Sequence, residues 1–117
     1  MWEVLVSDEV QGWLRKMVAS DPDTARQVRA AIRVLAADGP GLGRPLVDTV
    51  KGSRIKNLKE LRPGSSSRSE IRILFVFDPK RRAVLLVAGD KSGDWKGWYP
   101  KAIKKAERIY AEHVTSL

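Results

Sequence analysis

One stretch limits the folds open to this chain more than any other. From Ser69 to Asp78 the side chains alternate: Ile71, Ile73, Phe75 and Phe77 point one way, Arg72, Leu74 and Val76 the other. Asp78-Pro79-Lys80-Arg81 turns the chain, and Ala83 to Ala88 is then apolar without a break. An unbroken apolar strand is the mark of a strand covered on both faces. The remaining sequence must therefore supply cover for a sheet on each side. Its 117 residues suffice for one domain, 1–117, with a core of its own.

The cover is legible on either side of this pair. Trp2 to Val6 reads as a short strand. Ser7 follows as a helix cap, with Asp8 and Glu9 in the first turn, where carboxylates suit the helix dipole. Val10, Trp13, Leu14, Met17 and Val18 form the stripe of an amphipathic helix. Asp21 and Pro22 restart the chain as a second helix with Ala25, Val28, Ile32 and Leu35 on its buried face, ended by Gly39-Pro40-Gly41. Residues 39–53 read as loop. Arg54 to Arg62 reads as a strand whose Ile55, Leu58 and Leu61 do not alternate cleanly, as at a bulge or in a partly exposed strand. Pro63-Gly64-Ser65-Ser66-Ser67 is a turn. Gly89 to Tyr99 reads as a polar loop, and Pro100 opens a last helix with Ala102, Ala106, Ile109 and His113 along one side. The predicted fold is α+β in the order β-α-α-β-β-β-α. A small antiparallel-rich sheet packs against an N-terminal helical hairpin and a C-terminal helix.

Composition removes several kinds of chemistry. There is no cysteine, which excludes disulfides, thiolate nucleophiles and zinc–cysteine sites, and a single histidine, His113, makes a multi-histidine metal site impossible. Neither GxxxxGK[ST] nor GxGxxG occurs, and Asp78, Asp90 and Asp94 stand where turns commonly place aspartate. No metal or cofactor is expected. No run approaches the roughly 20 apolar residues of a membrane span, and Met1-Trp2-Glu3-Val4 lacks the basic start of a signal peptide. A cytoplasmic protein without membrane contact is expected.

The charge is unevenly placed. Residues 1–50 carry 6 Lys and Arg against 7 Asp and Glu, whereas residues 51–105 carry 15 against 5. A strongly basic half beside a nearly neutral one suggests a face for a polyanion. Lys56, Lys59 and Arg62 lie on one expected strand, Arg68 and Arg72 on the next, and Lys91 and Lys96 after the third. With strands about 4.8 Å apart, these can converge on one sheet face and its rim. Asp90 to Tyr99 interleaves Trp95, Trp98 and Tyr99 with charges, and rings that stack on bases beside cations that hold phosphates suit single-stranded RNA. Trp98 either joins this set or seats the last helix on the sheet.

Such residues permit one reaction without metal or histidine. A 2′-hydroxyl of RNA attacks its own 3′-phosphate while arginine and lysine stabilise the charge that develops. A lysine accepts the proton only where cations or burial bring its pKa well below about 10.4. Tyr99 can donate or relay a proton.

Three segments, Leu58-Lys59-Glu60-Leu61-Arg62, Glu70 to Pro79, and Val84 to Lys91 with Trp98-Tyr99-Pro100-Lys101-Ala102-Ile103, resemble the RelE/ParE superfamily. The resemblance is closest to its HigB-type branch of phage-derived toxin-like proteins. It implies a RelE-like fold and a type II toxin that cleaves mRNA, usually in the ribosomal A site. It also implies a small cognate antitoxin, expected to be a helix-turn-helix protein, in a toxin–antitoxin hetero-oligomer. By position, Arg72 matches the arginine at the scissile phosphate, Lys91 the basic residue after the last strand, Tyr99 the tyrosine before the terminal helix, and Arg62 a strand-end arginine. Lys59 joins this catalytic set, with Lys56, Arg68, Trp95 and Lys96 as RNA contacts. Where RelE proper alternates two lysines on the first hairpin strand, this chain has Leu58 and Glu60, so Glu60 is either the base or a structural partner of Arg72. The same scaffold also serves ParE-like poisons of DNA gyrase and inactive antitoxin-binding modules.

Overall fold

The computed structural model describes residues 1–65 and 68–117. Strands β1 (Val4–Val6), β2 (Val47–Thr49), β3 (Lys59–Leu61), β4 (Ile71–Phe77) and β5 (Ala83–Asp90) form one sheet in the order β1-β5-β4-β3-β2. β1 runs parallel to β5, and the other pairs are antiparallel. Helices α1 (Asp8–Ser20) and α2 (Pro22–Asp38) cover one face, and α3 (Trp95–Thr115) the other. The α+β expectation holds, with a helical hairpin and a C-terminal helix on opposite sides of a mixed sheet. Among the described residues no helix is long and apolar enough to cross a membrane.

The central hairpin is buried on both faces, as its sequence requires. Ile71, Ile73 and Phe75 of β4, with Ala83, Leu85 and Ala88 of β5, meet Val10, Val28, Ala31 and Leu35 of α1 and α2. Leu74 and Val76, with Val84, Leu86 and Val87, meet Ala102 and Ala106 of α3. Consecutive residues Leu86 and Val87 share a face because the register shifts between Leu74 and Phe75. Such a bulge puts two residues of one strand opposite one of its partner. Ser7 caps α1 by accepting the Val10 N–H at 3.1 Å, and its hydroxyl donates to the Leu86 carbonyl at 2.8 Å. That second bond ties the hairpin to β5. Asp21 caps α2 through the Thr24 N–H.

Four boundaries differ from expectation. Residues 39–53 are not all loop: a 3-10 turn spans Gly39–Gly41, and Val47–Thr49 forms edge strand β2. Three residues are too few to show a period. The strand expected over Arg54 to Arg62 shrinks to Lys59–Leu61, because Asn57 takes a left-handed conformation (φ 61°) that breaks extended chain just before it. The expected polar loop from Gly89 to Tyr99 is largely structured. β5 continues to Asp90, and α3 begins at Trp95, capped by Asp94, which accepts the Gly97 N–H at 3.1 Å. Pro100 therefore lies inside the helix rather than opening it. Val18, expected in the buried stripe of α1, is exposed. Of the turn expected at Pro63 to Ser67, Ser66 and Ser67 lie outside the described residues.

Candidate active site

The early start of α3 decides what gathers at this end of the sheet. It carries Trp95 and Tyr99 over the ends of β3, β4 and β5 on the face that also bears Leu58, Leu74 and Val87. Glu60, in the middle of β3, points to this face and is buried. Its Oε1 accepts the Tyr99 phenol at 2.6 Å, and its Oε2 accepts Arg62 Nη2 at 2.7 Å and Nε at 3.0 Å. Arg72 Nε stands 3.9 Å from Oε1. That Nε is buried without a hydrogen-bond partner among the described residues, although Nη1 donates to the Ile71 carbonyl at 2.8 Å. Arg62 also reaches Asp48 of β2 at 3.1 Å, and Arg44 meets the same carboxylate at 3.2 Å.

A second carboxylate completes the cluster. Glu70, just before β4, lies 3.4 Å from Lys91 Nζ and 3.8 Å from Arg72 Nη2. Lys91 follows β5 directly and is only 4% exposed. Its ammonium sits 3.2 Å from the centre of the Trp95 ring and 5.7 Å from that of Tyr99, a cation–π arrangement. Trp95 itself is 57% exposed. Trp98 packs with the α3-side core, so it seats the helix, and its ring meets Tyr99 edge-on at 5.0 Å.

Proton affinities follow from these contacts. Burial, the Glu60 hydrogen bond and the Glu60 charge together push the Tyr99 phenol up to about 12, against an opposing pull from Arg72. At neutral pH Tyr99 is therefore a phenol whose proton points at a carboxylate. The Glu60 hydrogen bond raises Arg62 further above its usual range, more than burial lowers it. The Thr49 backbone N–H and Arg44 hold Asp48 below the usual carboxylate range.

The expected site residues divide. Arg72, Tyr99 and Arg62 come together around Glu60, while Lys91 pairs with Glu70 beside the Tyr99 ring, with Trp95 over it. Lys59 does not join them. Its strand neighbour Leu61 faces the helical hairpin, and Lys59 shares that side while Glu60 takes the other. Lys56 is exposed in the turn before β3, and Arg68 is exposed ahead of β4. Lys96 is also exposed, one residue into α3. Glu60, open in the sequence between base and partner of Arg72, contacts Arg62, Arg72 and Tyr99.

A second polar cluster lies at the opposite end of β4 and β5. Asp78, with a fully buried side chain, accepts the Arg82 N–H at 2.9 Å, Arg82 Nη2 at 2.8 Å, and lies 2.9 Å from His113 Nε2. Burial pushes its carboxyl up, but the bonds to His113 and Arg82 outweigh it and hold it at about 2. His113 thus fastens the end of α3 to the β4–β5 turn.

Residues 1–111 match the family described as Phage derived protein Gp49-like (DUF891). This chain belongs to that family. The Gp49-like chain is also similar to two relatives from Mycobacterium tuberculosis strain H37Rv. It is 54% identical to "Putative toxin HigB2" over 107 residues, which cover 92% of this chain and 52% of that protein. It is 46% identical to "Putative toxin HigB3" over 105 residues, 90% of this chain and 87% of that protein. The chain thus spans about half the length of the first of these and most of the second. The resemblance drawn from the sequence, to a HigB-type, phage-derived toxin-like branch, agrees with the family and with both names.

Proposed function

We propose that this Gp49-like chain is the toxin of a type II toxin–antitoxin pair and acts as a metal-independent endoribonuclease on mRNA. The names of the two relatives support the toxin reading. The observation that carries the nuclease reading is the meeting of Arg72 and Tyr99 at the buried Glu60, with Lys91 beside them, shared between Glu70 and the Tyr99 ring.

In the reaction a 2′-oxygen attacks the neighbouring phosphorus and the 5′-oxygen of the next nucleotide leaves. The products are a 2′,3′-cyclic phosphate and a 5′-hydroxyl. Arg72 and Lys91 offset the charge that grows on the phosphoryl oxygens. The 2′-hydroxyl proton passes to the Tyr99 oxygen as the Tyr99 proton passes to Glu60, 2.6 Å away. Lys91 protonates the departing 5′-oxygen, and after the products leave, the proton held by Glu60 is lost to solvent and Lys91 takes one up, so that one proton moves in net from the 2′- to the 5′-oxygen. Arg62, bound to Glu60 through two nitrogens, holds that carboxylate in place. The ribosome as the setting of cleavage, and a helix-turn-helix antitoxin as the inhibitor, follow from the RelE/ParE resemblance.

The test is mapping of mRNA 5′ ends after brief induction of the chain alone, beside Arg72→Ala. New ends within coding sequence that vanish in the variant are expected. Growth arrest without new ends would overturn the nuclease reading in favour of a gyrase poison. An Arg72→Ala protein that still cleaves would overturn the site.

A further inference from the structure

Beside the Tyr99 cluster the surface carries a groove of about 610 Å³, lined by Lys51, Arg54, Lys96, Tyr99, Ile103 and Lys104 among others. It runs between the loop that follows β2 and the first three turns of α3. Glu107 of α3 fixes that loop in place. Its carboxylate accepts the Arg54 N–H at 2.7 Å and the Ser53 hydroxyl at 2.9 Å. These bonds, the backbone one first, hold Glu107 below the usual carboxylate range. One wall presents Lys51 and Arg54, and the other presents Lys96 and Lys104. Lys51, Lys96 and Lys104 are exposed and make no ion pair among the described residues. The Arg54 guanidinium, also exposed, has one 3.4 Å contact, with Glu107, among the described residues. Between the walls lie the Tyr99 ring, Pro100 and Ile103.

Cationic walls around an aromatic and apolar floor are the composition that tracks a single nucleic-acid strand. The cations hold phosphates and the rings stack bases. Tyr99 belongs to both the groove and the cluster around Glu60, so a strand lying in the groove reaches the residues around Arg72 by way of the Tyr99 side chain. We propose that this groove is the binding track for the single-stranded RNA segment flanking the bond to be cut, with Lys51, Arg54, Lys96 and Lys104 on its phosphates. The proposal rests on the nuclease reading for its substrate and goes beyond it in naming the track.

The experiment measures binding of a fluorescein-labelled single-stranded oligonucleotide of 12 uniformly 2′-O-methylated nucleotides, which cannot be cleaved, by anisotropy across KCl concentrations. For a single strand each phosphate contact contributes about −0.7 to the slope of log K against log salt. The double variant Lys51→Gln/Lys104→Gln is expected to flatten that slope by about 1.4 and to weaken binding roughly tenfold near 0.15 M salt. The control Arg33→Gln/Lys80→Gln removes the same charge from α2 and the β4–β5 turn, and is expected to change both much less. Equal losses in the two double variants, or no loss in the first, would overturn the track. So would an RNA duplex that competes as well as the single strand, or binding of an acidic peptide, but not RNA, through the same lysines. The two readings separate cleanly. Groove-dependent binding without new mRNA ends in cells supports the track and defeats the nuclease. Cleavage in cells with slope and affinity indifferent to Lys51 and Lys104 defeats the track alone.

Discussion

Burial of Tyr99 and its bond to Glu60 can be read together from the ionisation of the phenol. The chain has two tyrosines, Tyr99 and Tyr110. Tyr110 is itself raised, by burial and then by the Asp78 charge, so the measurement belongs in a Tyr110→Phe background. There Tyr99 is expected to ionise at about 12 rather than at 10.0. At pH 11 the difference is large: about 9% tyrosinate for the raised value against about 91% for the ordinary one. Glu60→Gln keeps the shape but removes the charge, leaving burial opposed by Arg72, so ionisation should move back toward 10. The assay is a rapid pH jump followed at 295 nm, read before the protein unfolds, with circular dichroism at pH 7 checking both variants. The linkage sign follows from a raised folded-state pKa. Tyr99 contributes stability that is full below about pH 10 and is lost as pH rises through about 12. Tyrosinate near 90% at pH 11 in the Tyr110→Phe protein would refute the raised pKa, and with it the combined effect of burial and Glu60. Glu60→Gln leaving the curve in place would refute the attribution to Glu60.

Two further outcomes test the scaffold that presents the site. Asp78, held at about 2 against an ordinary 3.8 with no solvent at its side chain, contributes stability present above about pH 4 and lost as pH falls through about 2. Asp78→Asn should therefore lower unfolding free energy by about 2 kcal/mol at pH 7, with the gap closing between pH 4 and 2 in urea melts; a gap independent of pH would refute this. At Gly89 an added Cβ would meet Trp98 Nε1 at 2.6 Å, so Gly89→Ala must shift the indole that seats α3, at about 1–3 kcal/mol. Thermal melting should show a clear drop, whereas Gly12→Ala, with nothing within 4 Å in α1, should match or exceed the parent.

What the sequence could reveal depended on how many residues carried each signal. β4, β5 and the helical hairpin repeat their pattern over seven or more residues, and the three-layer arrangement follows from them. β2 and β3 have three residues each, too few for a period to stand out from loop. Pro100 obscured the start of α3, because a proline most often marks a first turn, whereas Asp94 is the cap that holds this one. That error hid the groove. Once the helix begins at Trp95, Lys96, Pro100, Ile103, Lys104 and Glu107 fall on one stripe. Parity explains the division of the basic residues. Glu60, not Lys59, faces α3, and a shift of one position moves a strand residue to the other side of the sheet. The cluster itself also needed the fold, since Arg72, Lys91 and Tyr99 converge through strand order rather than sequence spacing.

Burial then sorts the positive charge of residues 51–105 into two populations that net charge alone does not distinguish. A cation taken out of water needs an anion beside it, or its cost exceeds what packing returns. Lys91 and Arg72 are buried or nearly so, and they face Glu70 and Glu60; Arg62, with 32% of its side chain exposed, still spans Glu60 and Asp48. These cations come with internal counterions because the chain could not otherwise enclose them. Lys51, Lys96 and Lys104 remain in water, carry no such requirement, and keep their charge available to an outside anion. The two sets therefore suit different tasks. The exposed set acts at range and depends on salt, as attraction of a polyanion does. The enclosed set has fixed positions and fixed partners, as a site needs to act on charge that forms only during reaction. Tyr99 is where they meet, with its ring in the groove and its hydroxyl on Glu60. A substitution there should disturb both, whereas Lys51 and Arg72 each belong to one.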